Sequence, residues 1–296
     1  VFPAPSLTPP TLEDFQWQYG GLTFGANTAI GVLNVEGLDL AEIRNGDANW
    51  PRDHGQAMGL DVFAGRDVIF DLWIKSGGSS LQATQLELAA ATNVKPNEEI
   101  PLWFQLPNLP ILCVMCRPRK RPGKIETDYA AANIYKPELA FHATDPRIYA
   151  AGEEAAWGTG EEPETGTIQN VVNAGNTEMR PIFYIEGPVT SPAIQNLSAA
   201  ETPTLRFAPI GDPEGELTIS PGEVLWVNLA IPHLVRLYPG GLGPGEGFEN
   251  ALRLLTWDSL WWDLIKGNNE LRYHSDDPDL TETGDATIQW ASAYML

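Results

Sequence analysis

The run ILCVMCRPRK places Cys113 and Cys116 three residues apart. A C-x-x-C spacing serves a redox dithiol or half of a zinc site. Here the run is strand-like, and positions i and i+3 of a strand point to opposite faces. No second pair and no nearby His pair completes four ligands. The two cysteines read as ordinary thiols in a half-buried strand, and two alone make no disulfide framework. The four histidines, His54, His142, His233 and His274, fall in separate segments and never at a ligand spacing such as H-x-x-x-H. Neither a G-x-S-x-G elbow nor a G-x-x-x-x-G-K-S/T phosphate loop occurs. The glycine-rich GGLGPGEG, residues 240–247, reads as a loop. The expectation is no catalytic residue, no cofactor, no metal and no enzyme.

Two weaker chemistries stay open. Acids cluster in EEPET (161–165) and HSDDPDLTETGD (274–285). Paired carboxylates hydrolyse glycosides when they face each other across a sugar, ~5 to ~9.5 Å apart. Solvated loop charge is the plainer account of these two runs. TWDSLWWDLIKGNNELRY carries Trp257, Trp261 and Trp262. Exposed aromatics stack on sugar rings, although large aromatics more often fill a core or a subunit interface. A carbohydrate-binding adhesin module is therefore the alternative function, and an acid-pair glycosidase the third.

The elements that would position these residues are mostly short strands. Of 296 residues, 28 are Gly and 25 Pro, and 43% are hydrophobic. That is enough apolar matter for real cores and many turns, which argues for an all-β chain of two domains. In RDVIFDLWIKS (66–76), Val68, Phe70, Leu72 and Ile74 alternate onto one face. SLQATQLELAAAT (80–92) is the one good helix, with Leu81, Gln85, Leu88 and Thr92 as its stripe, Leu86 and Ala89 beside it, and Ser79 or Ser80 as cap. LAEIRNGDANWPRDHGQ (40–56) is a long polar loop, the kind that reaches a partner. Residues 151–165, acidic and aperiodic, read as a linker between domains 1–150 and 166–296. Beyond it, short strands are expected at 167–173, 179–186, 203–209, 215–219, 223–229, 232–237, 249–257, 260–264, 268–274 and 285–294, in a sandwich or barrel.

The net charge is −21, and most of the acid excess falls after residue 150. Such a chain repels phosphates, so nucleic-acid recognition is not expected. No run of 18 apolar residues exists, so no membrane helix is expected. The opening VFPAPSLTPPTLEDF lacks a basic region followed by an apolar core, which gives no signal peptide and predicts synthesis in a cytoplasm.

Three stretches together carry a resemblance. They are NWPRDHGQAMGLDVFAGRDVIFDLWI (49–74), LAFHATDPRIYA (139–150), and NAGNTEMRPIFYIEGPVTSPAIQN (173–196) with its sequel WWDLIKGNNELRY and ATIQWASAYML. In order and spacing they resemble the distal tail protein of long-tailed, non-contractile phages, the siphovirus-type tail component also known as a minor tail protein. The Pro-rich start and the helix at 80–92 depart from that pattern. The resemblance implies an all-β fold of two domains: an N-terminal tail-tube-like β-sandwich with one helix, and a C-terminal galectin-like β-sandwich. It implies a homohexameric ring at the distal end of the tail, joining the tail tube protein to the central tip protein. The tape measure and receptor-binding proteins are further possible partners. The location would be the virion, at the tail tip, with synthesis in the host bacterial cytoplasm. The expected subunit interface is Trp50, Arg52, Asp53, His54 and Arg66, with the 40–56 loop clasping the next subunit.

Overall fold

A computed structural model describes residues 8–50, 54–75, 80–94, 98–124, 133–158, 167–199, 201–209, 217–230, 232–241, 247–275 and 284–295. The described residues are all-β with one α-helix, and the chain divides into two units. The first holds Thr8–Ala151 together with Tyr294, and the second holds Gly152–Ala293.

In the first unit the strands are β1 (Gln16–Tyr19), β2 (Leu22–Gly25), β3 (Ile30–Glu36), and the two-residue strands β4 (Ile43–Arg44), β5 (Ala48–Asn49), β6 (Gln56–Ala57) and β7 (Val62–Phe63). Then come β8 (Arg66–Lys75), helix α1 (Leu81–Ala91), β9 (Ile100–Gln105), β10 (Leu112–Lys120), β11 (Gly123–Lys124), β12 (Ile134–Ala143) and β13 (Ile148–Ala150). The main sheet runs β2-β1-β9-β10-β12-β8-β3. It bends back on itself through β10, which pairs β9 along Leu112–Cys116 and β12 from Arg117 onward, with a bulge between Pro118 and Lys120. The bend brings β1 and β2 over β8 and β12. Trp17 and Phe24 meet Phe70 edge-on at 5.8 and 5.3 Å, and Tyr19 meets Phe141 at 4.6 Å.

Local sequence explains these elements. β8 buries Val68, Phe70, Leu72 and Ile74 on alternate positions, as its period-two pattern requires. β1 and β2 join through Gly20 and Gly21, both at positive φ, the geometry of a two-residue hairpin turn. Ser80 caps α1, its hydroxyl accepting from the Ala83 amide at 3.1 Å. The helix buries Leu81, Thr84 and Leu88. Leu86 faces outward and Thr84 inward, so the buried stripe differs from the expected one by one position. Cys113 and Cys116 lie in a strand buried on both faces, not half-buried. Cys116 faces the aromatic core with Leu112 and Val114, while Cys113 sits beside Trp103 and Tyr149 in the ladder. Burial pushes both thiols above their usual range, which removes thiolate chemistry from this C-x-x-C.

The second unit contains β14 (Glu153–Gly158), β15 (Thr167–Asn173), β16 (Ile182–Glu186), β17 (Val189–Thr190), β18 (Ala193–Asn196), β19 (Thr204–Arg206) and β20 (Thr218–Ile219). These are followed by β21 (Val224–Asn228), β22 (Leu234–Tyr238), β23 (Glu249–Asn250), β24 (Gly267–His274) and β25 (Asp285–Trp290). One sheet runs β14-β25-β16-β21-β22-β23, a second runs β15-β24-β18-β19, and β17 pairs β20. The indole of Trp290, on β25, donates to the Val172 carbonyl on β15 at 3.1 Å and ties the two larger sheets together.

Several expectations change here. Residues 153–158, expected as linker, form an edge strand paired with β25. The segment 249–257 is a two-residue strand followed by a 3-10 turn at Leu252–Leu254. In 260–264 only an isolated bridge from Leu264 to Met179 has strand character. β18 was not expected as a separate strand. The end of the chain is shared: β25 completes the second unit, and Tyr294 packs on the core of the first.

Candidate functional site

Between β3 and β8 runs a nested β-hairpin, which takes in residues 40–56, expected as a loop, and 58–65, expected as a strand and paired only at Val62–Phe63. β4 pairs β7, and beyond it β5 pairs β6. The Ala64 amide donates to the Glu42 carbonyl at 2.7 Å to close the base, and the Trp50 amide donates to Gly55 at 3.3 Å near the tip. Polar side chains brace the interval. The Gly59 amide donates to Asp47 Oδ1 at 2.9 Å, and Gln56 Nε2 donates to Asn49 Oδ1 at 2.8 Å.

This arm has no core of its own. Met58 is 94% exposed, Leu60 79% and Trp50 54%, and Ile43, Val62 and Phe63 are exposed as well. Six exposed apolar side chains on one short ribbon are more than a free surface ordinarily carries, and they point to an interaction surface. A two-stranded ribbon is marginal in water by itself. Its apolar side chains therefore call for a partner surface.

The root of the arm is fixed by Arg66. Its Nε donates to the Pro146 carbonyl at 2.8 Å, and its Nη1 donates to the carbonyls of Gly37 at 2.8 Å and of Asp39. The side chain is 2% exposed. Burial lowers its pKa, and nearby Asp39 works the other way. Gly37 allows this close root: its φ is +86°, and a Cβ there would fall 1.8 Å from the Asp67 carbonyl oxygen.

A groove of about 760 Å³ runs along edge strand β3. Phe15, Trp17, Val32, Leu33, Val35 and Trp73 line it, and among the described residues no charged one joins its walls. An uncharged groove on so acidic a chain fits an apolar occupant.

Of the five residues expected at a subunit interface, Trp50 and His54 lie exposed on the arm. Arg52 and Asp53 lie outside the described residues. Arg66 is interior, directs Nε and Nη1 to backbone carbonyls of its own unit, and positions the arm from below. The sequence signalled the segment by its length. It did not signal the exposed side chains, because the same Met, Leu and Phe types fill cores elsewhere.

The tryptophans separate. Trp257 stands alone at 87% exposure. Trp261 stacks flat on His233, ring centroids 4.1 Å apart, and Trp262 is a core residue packed edge-on against Phe183 at 5.6 Å. Trp261 and Trp262 share one cleft with Arg180 and Asp263, which form an ion pair at 2.9 Å. The three therefore do not make one sugar-stacking face. Both acidic runs fall largely outside the described residues. Among the described residues no group of three or more His, Cys, Asp or Glu can hold a metal ion, and no helix is long and apolar enough to cross a membrane.

Among solved structures, the chain is similar to the SPP1 Dit protein, described as a paradigm of the hub adsorption apparatus in phages that infect Gram-positive bacteria. The two share a TM-score of 0.63 at 14% identity over 95% of this chain and 99% of that one. It is also similar to a chain of the phage P2 baseplate in its activated conformation with Ca, at TM-score 0.54 and 11% identity over 93% and 97%. The same baseplate with Sr gives 0.52 and 11% over 92% and 97%. No protein-family model matches the chain, and no curated protein matches it.

Proposed function

We propose that this chain is a structural virion protein of a long phage tail: a distal tail protein that assembles as a homohexameric ring and acts without enzymatic chemistry. The observation that carries the reading is the end-to-end likeness to SPP1 Dit, which spans both units in order. The ring would join the tail tube protein above to the central tip protein below, with the tape measure and receptor-binding proteins as further contacts. Its place would be the tail tip, after synthesis in the host cytoplasm.

The arm and the groove support a head-to-tail contact. An apolar projection and an uncharged groove on one chain are complementary, and repeated contacts of that kind close into a ring when the rotation allows. In this reading Trp50, Met58 and Leu60 of one copy seat along β3 of the next. A disulfide trap tests it. Leu60→Cys and Leu33→Cys are made in separate copies, mixed and oxidised, with the buried native thiols inert. A mixed dimer from the two proteins together, and none from either alone, supports the contact. Rings that form with no such cross-link would reject this docking and leave the ring itself standing.

A further inference from the structure

The outer face of the six-stranded sheet carries a rung of polar and aromatic side chains. Across the ladder, Thr287, Tyr184, Trp226, Arg236 and Asn250 stand in register on neighbouring strands. The alternate positions of the same strands, among them Phe183, Val227 and Val235, are buried in the sandwich. The rung is therefore the face turned away from the core.

Arg236 is its centre. The guanidinium carbon lies 4.1 Å from the centroid of the Phe248 ring and 5.0 Å from that of Trp226. Tyr238 packs on Phe248 with centroids 5.7 Å apart. Stacking uses the two flat faces of a guanidinium and leaves its N–H donors in the plane. Among the described residues none accepts a hydrogen bond from these donors, and none forms an ion pair with Arg236. Arg180, for comparison, is held by Asp263. A cation with no carboxylate partner is notable on a chain of net charge −21. A guanidinium held between ring contacts is a planar fork suited to two parallel bonds to a carboxylate or phosphate.

Hydroxyl and amide groups continue the rung. Tyr184 donates from its hydroxyl to Gln289 Oε1 at 3.0 Å, and Thr287 and Asn250 flank the row. Such groups both donate and accept, as sugar hydroxyls do, and the neighbouring rings offer apolar surface to a pyranose. We propose that this face binds an acidic saccharide, its carboxylate or phosphate held by Arg236 and its ring lying over the Tyr184 side of the rung. A polyanion fits less well, because the acidic chain repels it beyond the reach of one short-range contact. The site goes beyond the structural role and does not depend on ring formation.

Saturation-transfer NMR and calorimetry on the full chain test it. The probes are a glucuronate-bearing oligosaccharide, the same sugar carrying a phosphate, the neutral sugar, and inorganic phosphate. The expected result is binding of one or both acidic sugars at least tenfold tighter than the neutral sugar or phosphate alone. Arg236→Lys, which keeps the charge and loses the fork, should weaken it tenfold or more with an unchanged melting curve. No binding of either acidic sugar overturns the proposal, as does equal binding by Arg236→Lys. Inorganic phosphate binding as well as the sugars makes it a bare anion site, which also overturns it. So does Arg236-dependent capture of a purified tail protein without sugar binding.

Discussion

Arg66 donates from Nη1 to the Gly37 carbonyl at 2.8 Å, across the root of the arm, from a side chain almost without solvent contact. Gly37 directly follows the strand that leads into the arm, and Arg66 begins the strand that leaves it. One buried cation thus joins both legs of the hairpin and the Pro146 turn. Replacing it with Met would leave the Gly37, Asp39 and Pro146 carbonyls desolvated and unpaired. Arg66→Met should lower the unfolding free energy by about 3 kcal/mol. Urea unfolding read by tryptophan fluorescence measures this, and a midpoint equal to wild type would contradict the clasp.

The arm itself should be dispensable for folding and needed for assembly. Changing Trp50, Met58 and Leu60 together to Ser alters exposed side chains only, so each should move stability by no more than about 0.5 kcal/mol. The triple variant should melt like wild type and elute as a monomer in size-exclusion chromatography. Full assembly in this variant would remove the arm from the interface.

Much of this architecture was legible in the residues, and the exceptions have physical causes. β8 announced itself because one of its faces is buried and the other only partly covered, so Val68, Phe70, Leu72 and Ile74 alternate with Asp67, Ile69, Asp71, Trp73 and Lys75. The apolar run of β10 gave no such pattern, since a central strand covered on both sides loses its alternation. Residues 40–56 of the arm looked like a loop because their paired strands are two residues long and separated by polar and glycine residues. Residues 260–264 are apolar like a strand, but Leu264 makes a single bridge to Met179 and fills the core without a ladder. The Arg236 rung was hidden because its members come from five strands spread over more than 100 residues, and only the register assembles them.

Buried asparagines are a second feature that composition does not reveal. Asn269 is fully buried on β24. Its Nδ2 donates to the Ile265 carbonyl at 2.9 Å and to that of Gly267 at 3.1 Å, and its Oδ1 accepts from the Ile265 amide at 2.9 Å. The side chain satisfies the turn that starts the strand. Asn269→Leu removes these bonds and strands the backbone groups, at a cost of about 3 kcal/mol. Chemical denaturation should show the loss, and Asn269→Asp should not restore it, because a carboxylate oxygen would face the Ile265 and Gly267 carbonyls where the amide donates.

His233 gives the second unit a pH response. Burial lowers its pKa, and Arg180 adds to the shift. The Leu229 carbonyl, 2.8 Å from Nδ1, and Asp263 oppose it. The neutral ring stacked on Trp261 is thus favoured in the folded state. A base with a folded pKa below its unfolded value leaves stability whole above the unfolded pKa, near ~6.5. Stability then falls as the unfolded chain takes up the proton first, and levels off below the folded pKa. Melting followed through tryptophan emission should drop between pH 7.5 and 5.5, and His233→Phe should flatten that dependence. An identical pH slope in the variant would assign the response elsewhere.

The ring is the central claim, and its mass is the most direct test. Multi-angle light scattering of the full chain, over a range of concentrations reaching ~100 μM, reads it without a partner; closed cyclic assembly saturates at one stoichiometry. The account predicts a species six times the 32.4 kDa chain mass, with rings in negative-stain images. A monomer at every concentration, indistinguishable from the Trp50, Met58 and Leu60 variant, would contradict it.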